Sequence, residues 1–194
     1  MAGNREREGA AAQIAELVDR LARLVRAEGH GGALNPAQWD ALRYLARCNR
    51  FSNTAGALAR YLGATKGTVS QTLNALERKH LIEREPDRSS GRVVRLSLTR
   101  GGRTALANDP LLGLGWAADA LSPALARQTA DGLKATLSAL QAANGHEPFG
   151  LCRTCRHFRA DAPAGAPHFC ALLDERLTEQ DSTRICAEHQ PLVA

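Results

Sequence analysis

The sequence predicts a mainly α-helical fold with one small β-hairpin, followed by a small cysteine-rich module. Apolar residues recur at helical spacing through most of residues 12–144, which is typical of amphipathic helices. Only residues 81–98 have the pattern of two strands joined by a turn. Four of the five cysteines lie beyond residue 144, where the composition changes. The chain therefore divides into a helical part with a hairpin and a separate C-terminal segment.

Two helices are predicted before residue 50. The first covers residues 12–25, carries one broad apolar stripe and ends at the glycine-rich turn 29–32. The second begins near Asn35 and Pro36, because Asn is a good N-cap and Pro is tolerated in the first turn. The residues of the second helix that we expect to face inward are Trp39, Leu42 and Leu45.

Two short helices joined by a tight turn follow. The first of them contains Leu58 and Leu62 and ends at Gly63, where a left-handed C-cap residue is needed. Thr65 is placed to cap the second. The predicted buried stripe of this second helix consists of Val69, Leu73 and Leu76.

A hairpin with a basic tip comes next. One strand begins at residues 81–82, residues 86–91 form a turn, and residues 93–98 alternate in a second strand. Arg88 and Arg92 lie at the tip. Two helices around a tight turn, followed by such a hairpin, form a winged helix-turn-helix, a DNA-reading module.

The helix after the tight turn has a polar face opposite its apolar stripe. Side chains of these types can hydrogen-bond to base edges in a major groove, and arginines on the hairpin can enter a minor groove. The predicted DNA-binding residues are Lys66, Thr68, Ser70, Gln71, Asn74, Arg78, Arg88 and Arg92. The alternative is that the polar face is the solvated side of an amphipathic helix. Charge favours DNA, because residues 60–103 hold ten Lys or Arg against four acids, whereas the whole chain is +5.

Further helices are predicted after the hairpin. Residues 100–107 form one, residues 109–110 interrupt it, and residues 122–123 begin a long helix. The leucines on that long helix are Leu125, Leu133, Leu137 and Leu140. The first and last helices have more apolar surface than a small core needs. They either wrap one protomer or pair with a second one, and apolar stripes alone do not separate these alternatives.

Three stretches of the chain resemble the MarR family of bacterial transcriptional regulators: LNPAQWDALRYLA, LARYLGATKGTVSQTLNALERKHLIERE and RVVRLSLTRGG. The resemblance spans roughly residues 10–144 and implies a homodimer built by the first and last helices. It also implies two recognition helices on a pseudo-palindromic operator in double-stranded DNA, and a small lipophilic effector. The family usually has an Asp-x-Arg element in the hairpin, where this chain has Ser90, Gly91 and Arg92. Because residues 87–88 are Asp-Arg, Arg88 and Arg92 both remain candidates for the groove-inserting arginine.

The cysteines of the C-terminal segment suggest a metal site. Cys152 and Cys155 form a C-x-x-C pair, and Cys170 and Cys186 follow at intervals of fifteen and sixteen positions. Clustered thiols in a cytoplasmic protein indicate metal or redox chemistry rather than disulfides. Four thiolates complete a tetrahedral zinc shell, but one C-x-x-C pair with two dispersed cysteines also suits a [4Fe-4S] cluster. Zinc is the first interpretation, the cluster the second, and reduced thiols without a ligand the third.

Three histidines and the fifth cysteine complete the candidates for metal chemistry. His157, His168 and His189 lie within three positions of a cysteine and are expected to be bystanders more often than ligands. Cys48 is predicted to be a small buried hydrophobe in the second helix, away from the C-terminal segment.

These features divide the chain into four predicted parts. Residues 1–34 form an N-terminal dimerisation helix and residues 35–102 the winged helix-turn-helix DNA-binding domain. Residues 103–144 form C-terminal dimerisation helices, and residues 145–194 a cysteine-rich metal-binding extension.

The preferred function is a dimeric DNA-binding repressor, relieved by a small molecule or by a redox or metal signal at the cysteines. A ligand-independent architectural DNA binder is the second class. An enzyme is disfavoured, because no spacing of residues suggests a catalytic arrangement. The charged start, MAGNREREG, has no apolar segment, and no membrane-length apolar run follows. We therefore expect a cytoplasmic protein without a membrane partner.

Overall fold

The computed structural model describes residues 2–29, 32–87, 90–161 and 167–192, and the side chains of residues 2–8 are left aside. The helices are α1 Ala2–Glu28, α2 Pro36–Arg47, α3 Ala55–Leu62, α4 Lys66–Arg78, α5 Arg100–Leu106, α6 Leu111–Asp119, α7 Pro123–Ala143 and α8 Glu179–Ser182. The strands are β1 Ile82–Pro86, β2 Val94–Leu98, β3 Gly150–Leu151, β4 Phe158–Ala160, β5 His168–Cys170, β6 Glu175–Leu177 and β7 Ile185–Cys186. A single 3₁₀ turn covers Cys152–Thr154. The mainly helical architecture with small antiparallel sheets confirms the predicted fold class.

Helices α2, α3 and α4 pack with the β1–β2 hairpin around the main core. Helix α2 begins with a capping box, in which Asn35 accepts the N–H of Gln38 and Gln38 accepts the N–H of Asn35. Tyr44 is fully buried, and its hydroxyl donates to the Ser52 carbonyl at 2.7 Å. The aliphatic side chains of this core are Leu42, Leu45, Leu58, Val69, Leu73, Leu76, Ile82 and Leu96. Each of them stabilises the fold by about 1.5–3 kcal/mol when fully buried.

Two glycines fix the turns that position α4 and α5. Gly63 has φ of 60° and caps α3 in the left-handed conformation, as the sequence predicted. At Gly102 a Cβ atom would lie 2.1 Å from the Leu81 carbonyl oxygen. Any larger residue at position 102 would therefore push α5 away from the start of the hairpin.

The hairpin is antiparallel, with Ile82 opposite Leu98 and Pro86 opposite Val94. Its second strand is also attached to the segment between α2 and α3. The N–H of Leu96 donates to the Asn53 carbonyl at 2.8 Å, and Asn53 Nδ2 donates back to the Leu96 carbonyl at 3.0 Å. These contacts fix the hairpin beside α4.

Helices α1, α6 and α7 carry apolar side chains that a single protomer leaves exposed. The predicted break at residues 109–110 is present. Helix α6 follows it at once, whereas no helix was predicted between residues 110 and 122. The exposed large apolar residues of these helices and of the turn before α7 are Ile14, Leu17, Val18, Leu21, Leu24, Leu111, Leu112, Trp116, Leu121, Leu125, Leu133, Leu137 and Leu140. No helix of the described residues is both long enough and apolar enough to cross a membrane.

The C-terminal segment, residues 145–192 of the described chain, folds onto the corner between α2 and α3. It contains the β3–β7 pair, the antiparallel sheet β4–β5–β6 and the short helix α8. The N–H of Asn49 donates to the Ile185 carbonyl at 2.9 Å, and the N–H of Ala187 donates to Ser52 Oγ at 2.8 Å. Ala187 is buried in the main core. This segment is therefore continuous with the winged-helix core.

Cys48 requires a correction. It is buried, as predicted, but it is not away from the C-terminal segment, because its backbone forms a β-bridge with Ile185. Its carbonyl also accepts from Arg184 at 3.3 Å. The prediction was wrong because the sequence gives no sign that β7 returns to the end of α2. Burial raises the pKa of the Cys48 thiol to about 11, so the thiol is protonated at neutral pH.

Candidate nucleic-acid interface and cysteine cluster

Helix α4 has one buried face and one exposed polar face. Thr65 caps the helix by accepting the N–H of Thr68 at 3.2 Å. The predicted stripe of Val69, Leu73 and Leu76 is at most 2% exposed. All of the predicted α4 contacts lie on the exposed surface, namely Lys66, Thr68, Ser70, Gln71, Asn74 and Arg78. Donors and acceptors are therefore available along one helix face, which is the arrangement that a major-groove helix needs.

Two members of this face have partners within the protein. Asn74 Oδ1 accepts from Arg84 on β1 at 2.8 Å, and Arg84 also forms an ion pair with Glu77 at 3.4 Å. The hydroxyl of Thr68 lies 2.9 Å from that of Thr65, within the helix cap. The Arg84 contact orients the Asn74 amide before any ligand arrives.

The structure describes one of the two predicted groove arginines of the hairpin tip. Arg92 is exposed in the turn between β1 and β2. Arg88, the other predicted groove arginine, lies outside the described residues. Asp87 holds the loop by accepting from the N–H of Ser90 at 3.1 Å and from Arg95 at 2.5 Å. The structure thus places Arg92 at the tip and fixes the base of the loop that carries it.

Several cations of residues 60–103 have partners within the fold. Arg95 pairs with Asp87 and donates to the Phe51 carbonyl, so it braces the hairpin. Arg60 donates to Glu188 and to Glu147 of the C-terminal segment, and these contacts, chiefly the hydrogen bond to Glu188, raise its pKa. Lys79 donates to the Ala33 carbonyl and to Gln38. The exposed cations of the α4 and hairpin surface include Lys66, Arg78 and Arg92.

The four cysteines of the C-terminal segment, here called the cysteine cluster, line one small cavity of about 10 Å³ together with Phe158, Leu172, Leu177 and Glu188. Cys152 and Cys186 are buried side by side, and their interaction raises the pKa of the Cys152 thiol and lowers that of Cys186. Cys155 Sγ accepts the N–H of Gln190 at 3.4 Å. The fold therefore brings together the four predicted ligands.

The described residues contain no group of three or more His, Cys, Asp or Glu side chains already placed to hold a metal ion. The metal site therefore remains a prediction. All five cysteines are free thiols. The predicted zinc ion or [4Fe-4S] cluster would be held by the sulfurs around this cavity, because the three candidate histidines each have a different neighbour. His157 lies 3.0 Å from Gln190, His168 lies 2.8 Å from Glu179, and His189 lies 3.0 Å from Thr154.

The end of α2 provides a contact to the cysteine cluster that sequence reasoning missed. Asn49 is fully buried, and its Nδ2 donates to Cys152 Sγ at 3.1 Å. Its Oδ1 accepts the N–H groups of Phe51 and Ser52 at 3.1 and 2.9 Å. An Asn directly after a predicted helix is a signal for such a turn, but its partner lies 103 positions away and could not be read from the sequence.

A separate cavity of about 850 Å³ lies between the helices and the winged-helix core. It is lined mainly by apolar residues of α1, α2, α6 and α7, including Leu21, Trp39, Leu114 and Leu133. Trp39 Nε1 is buried and has no hydrogen-bond partner among the described residues. The wall also contains Arg43, whose pKa is raised chiefly by its hydrogen bond to Asp109.

A helix-turn-helix with an exposed polar α4 and a hairpin carrying an exposed arginine defines a winged helix-turn-helix protein of the DNA-binding class. Residues 34–93, which hold α2, α3, α4 and most of the hairpin, match the model of the MarR family. This part of the chain is therefore similar to the winged helix-turn-helix domain of that family. The match supports the predicted class of function, a DNA-binding transcriptional regulator. No curated protein sequence matches the chain.

Solved structures share the fold at low sequence identity. FabT of Streptococcus pneumoniae, solved in complex with DNA, is 21% identical with a TM-score of 0.55, over 70% of this chain and 98% of that chain. The MepR–DNA complex of S. aureus is 23% identical with a TM-score of 0.54, over 68% of this chain and 96% of that one. A Listeria innocua protein of unknown function is 19% identical with a TM-score of 0.55, over 71% of this chain and 97% of that chain. About three tenths of this chain has no counterpart in these structures.

Proposed function

We propose that the protein is a cytoplasmic homodimeric repressor that reads a pseudo-palindromic operator in double-stranded DNA with its two α4 helices. The observation that carries this proposal is the exposed polar face of α4, where Gln71 and Asn74 stand beside Lys66 and Arg78. Asn and Gln can form bidentate hydrogen bonds to adenine, and Lys and Arg to guanine or phosphate. The shared fold of the FabT and MepR complexes with DNA supports the same use of this face.

Dimerisation is supported by the apolar side chains that one protomer leaves in solvent. Leu24, Leu137 and Leu140 are 62%, 56% and 60% exposed, and Trp116 is 70% exposed. These residues lie on the first helix and on the helices after the hairpin, which were predicted as dimerisation helices. Burial of such a surface against a second copy would remove it from water and place two α4 helices at fixed spacing.

The cavity of about 850 Å³ is the proposed effector site. Its volume lies within the range of pockets for small molecules, and its lining is mainly apolar. Because the wall combines α1 and α6 with α2, an effector bound there would change the spacing of the two α4 helices, and thereby the affinity for the operator.

The proposal is tested by selecting binding sites for the full-length protein from random double-stranded DNA. We expect enrichment of a two-part site whose halves are about one helical turn apart. Titrations of the selected site and of a scrambled site should then differ by a factor of 10³ or more at about physiological salt. The architectural alternative predicts equal affinities that fall together as salt rises. No enrichment of a two-part site would contradict the proposal.

A further inference from the structure

We infer that the cysteine cluster binds one divalent metal ion with the thiolate preference of zinc, and that all four sulfurs of Cys152, Cys155, Cys170 and Cys186 are its ligands. The cavity they line is the point at which otherwise separate elements of the C-terminal segment meet. The backbone holds each cysteine in place. Cys155 N–H closes the 3₁₀ turn onto the Cys152 carbonyl at 2.9 Å, Cys170 pairs with Phe158, and Cys186 pairs with Gly150.

Polar donors surround the sulfurs in the way that a metal thiolate site requires. Asn49 Nδ2 donates to Cys152, and the N–H of Gln190 donates to Cys155. Such N–H···S bonds stabilise negative charge on sulfur and orient the ligand, which a purely apolar setting for a thiol does not do.

The packing of the segment gives a second reason for an ion. Its local cluster of buried residues contains Leu177 and two cysteines, with Phe51, Phe158 and Cys170 packed around them. A core in which thiols replace aliphatic side chains has little apolar area to stabilise it. A metal ion that joins four thiolates supplies the missing stabilisation directly.

The donor set favours a single ion. Four thiolates complete a tetrahedral zinc shell without further ligands, and the C-x-x-C-x-x-C run of bacterial ferredoxins is absent from the sequence.

The test is metal analysis of the full-length protein. The protein is analysed as purified without added metal, and again after Zn²⁺ has been added and the unbound Zn²⁺ removed. We expect about one zinc per chain, lost in Cys170→Ser and retained in Cys48→Ser. Cys48 is the matched control, because it is also a buried free thiol but does not line the cavity. Replacement of zinc by Co²⁺ should give the intense visible bands of a tetrahedral thiolate complex.

A further measurement covers the case in which Cys170→Ser does not fold. In the wild-type protein, thiol titration should show additional reactive thiols when a chelator removes the ion, beginning with Cys155 and Cys170, whose side chains are less buried than those of Cys152 and Cys186. Failure of the wild-type protein to retain zinc, iron with acid-labile sulfide in its place, or unchanged zinc in Cys170→Ser would each overturn the inference. The measurements involve no DNA, so their outcome is independent of the proposed function.

Discussion

Asn49 joins the end of α2 to the cysteine cluster, because its Nδ2 donates to Cys152 Sγ at 3.1 Å. The same side chain accepts two N–H groups of the turn that leads into α3. One buried amide therefore fixes both the corner of the DNA-binding domain and a sulfur of the C-terminal segment. The state of the cysteines and the geometry of the helix-turn-helix are thereby mechanically connected.

Asn49→Asp should destabilise the protein by about 1–3 kcal/mol. The carboxylate keeps the two acceptor contacts to the turn but loses the donor to Cys152 and places a negative charge beside the sulfur. Urea unfolding of variant and wild type at one protein concentration measures the difference. Gln128→Glu, on the exposed surface of α7, is the control and should change the free energy of unfolding far less. Equal effects of the two variants would show that the Asn49 contact is unimportant.

Gln71→Ala and Asn74→Ala should each relax the base preference at one position of each half-site. The expected cost on the preferred operator is about 1–3 kcal/mol for each lost bidentate contact. Binding to a panel of single-base operator variants measures this preference. Gln13→Ala, on the exposed surface of α1, should leave the whole panel unchanged. A residue whose replacement leaves the preference intact does not read bases.

Arg92→Ala should weaken binding to all sequences and reduce the salt dependence of the binding constant. Loss of one phosphate or minor-groove contact lowers the slope of log K against log salt by about one for each site. Titrations at several salt concentrations give this slope. Arg127→Ala removes an exposed arginine of α7 and should leave the slope as it is. An unchanged slope for Arg92→Ala would remove the hairpin tip from the DNA interface.

Leu137→Glu should convert the dimer to a monomer and weaken operator binding. Leu137 is 56% exposed in a single protomer, so the charge is tolerated in the monomer but would be buried between two copies. Light scattering after size-exclusion chromatography measures the mass. Ala135→Glu lies on the opposite side of the same helix and should remain dimeric. If Leu137→Glu and Ala135→Glu both remain dimeric, the dimer interface does not include Leu137.

Asp109→Asn should lower stability at neutral pH by about 1–3 kcal/mol. Burial alone would raise the pKa of Asp109, but its hydrogen bonds to Arg43 at 2.5–2.8 Å and to the N–H of Leu111, with the nearby charge of Arg47, hold the pKa below its usual value. The contribution of the carboxylate is therefore complete above the unfolded pKa of about 3.9 and is lost as pH falls through the lower folded pKa.

Urea unfolding of wild type and Asp109→Asn at a series of pH values tests this coupling. The free energies of unfolding of the wild type and of Asp109→Asn should converge as the solution is acidified. For Asp119→Asn, at the exposed end of α6, the free energy of unfolding should depend on pH as it does in the wild type. A constant difference between Asp109→Asn and wild type at all pH values would show that the charge of Asp109 is not responsible.

Local patterns predicted the winged helix well, because its signals lie within a few residues of one another. Gly63 and Thr65 set the turn, and Val69 and Leu73 define the buried face of α4. The bracing roles of Arg84 and Arg95 were missed, since an arginine in a basic stretch looks the same whether it contacts DNA or a neighbouring carboxylate. The place of the C-terminal segment was missed as well, because contacts such as that between Ser52 and Ala187 join residues 135 positions apart.

The closure of the core by Ala187 has a consequence for synthesis of the chain. The α2–α3 corner reaches its final form only after residues near 187 have left the ribosome, because Ser52 and Asn49 have their partners there. Contacts of such large sequence separation slow folding, since loop closure costs entropy before the contacts form. The DNA-binding domain should therefore mature late, as one of the last steps after translation, rather than fold as an early independent unit on the nascent chain.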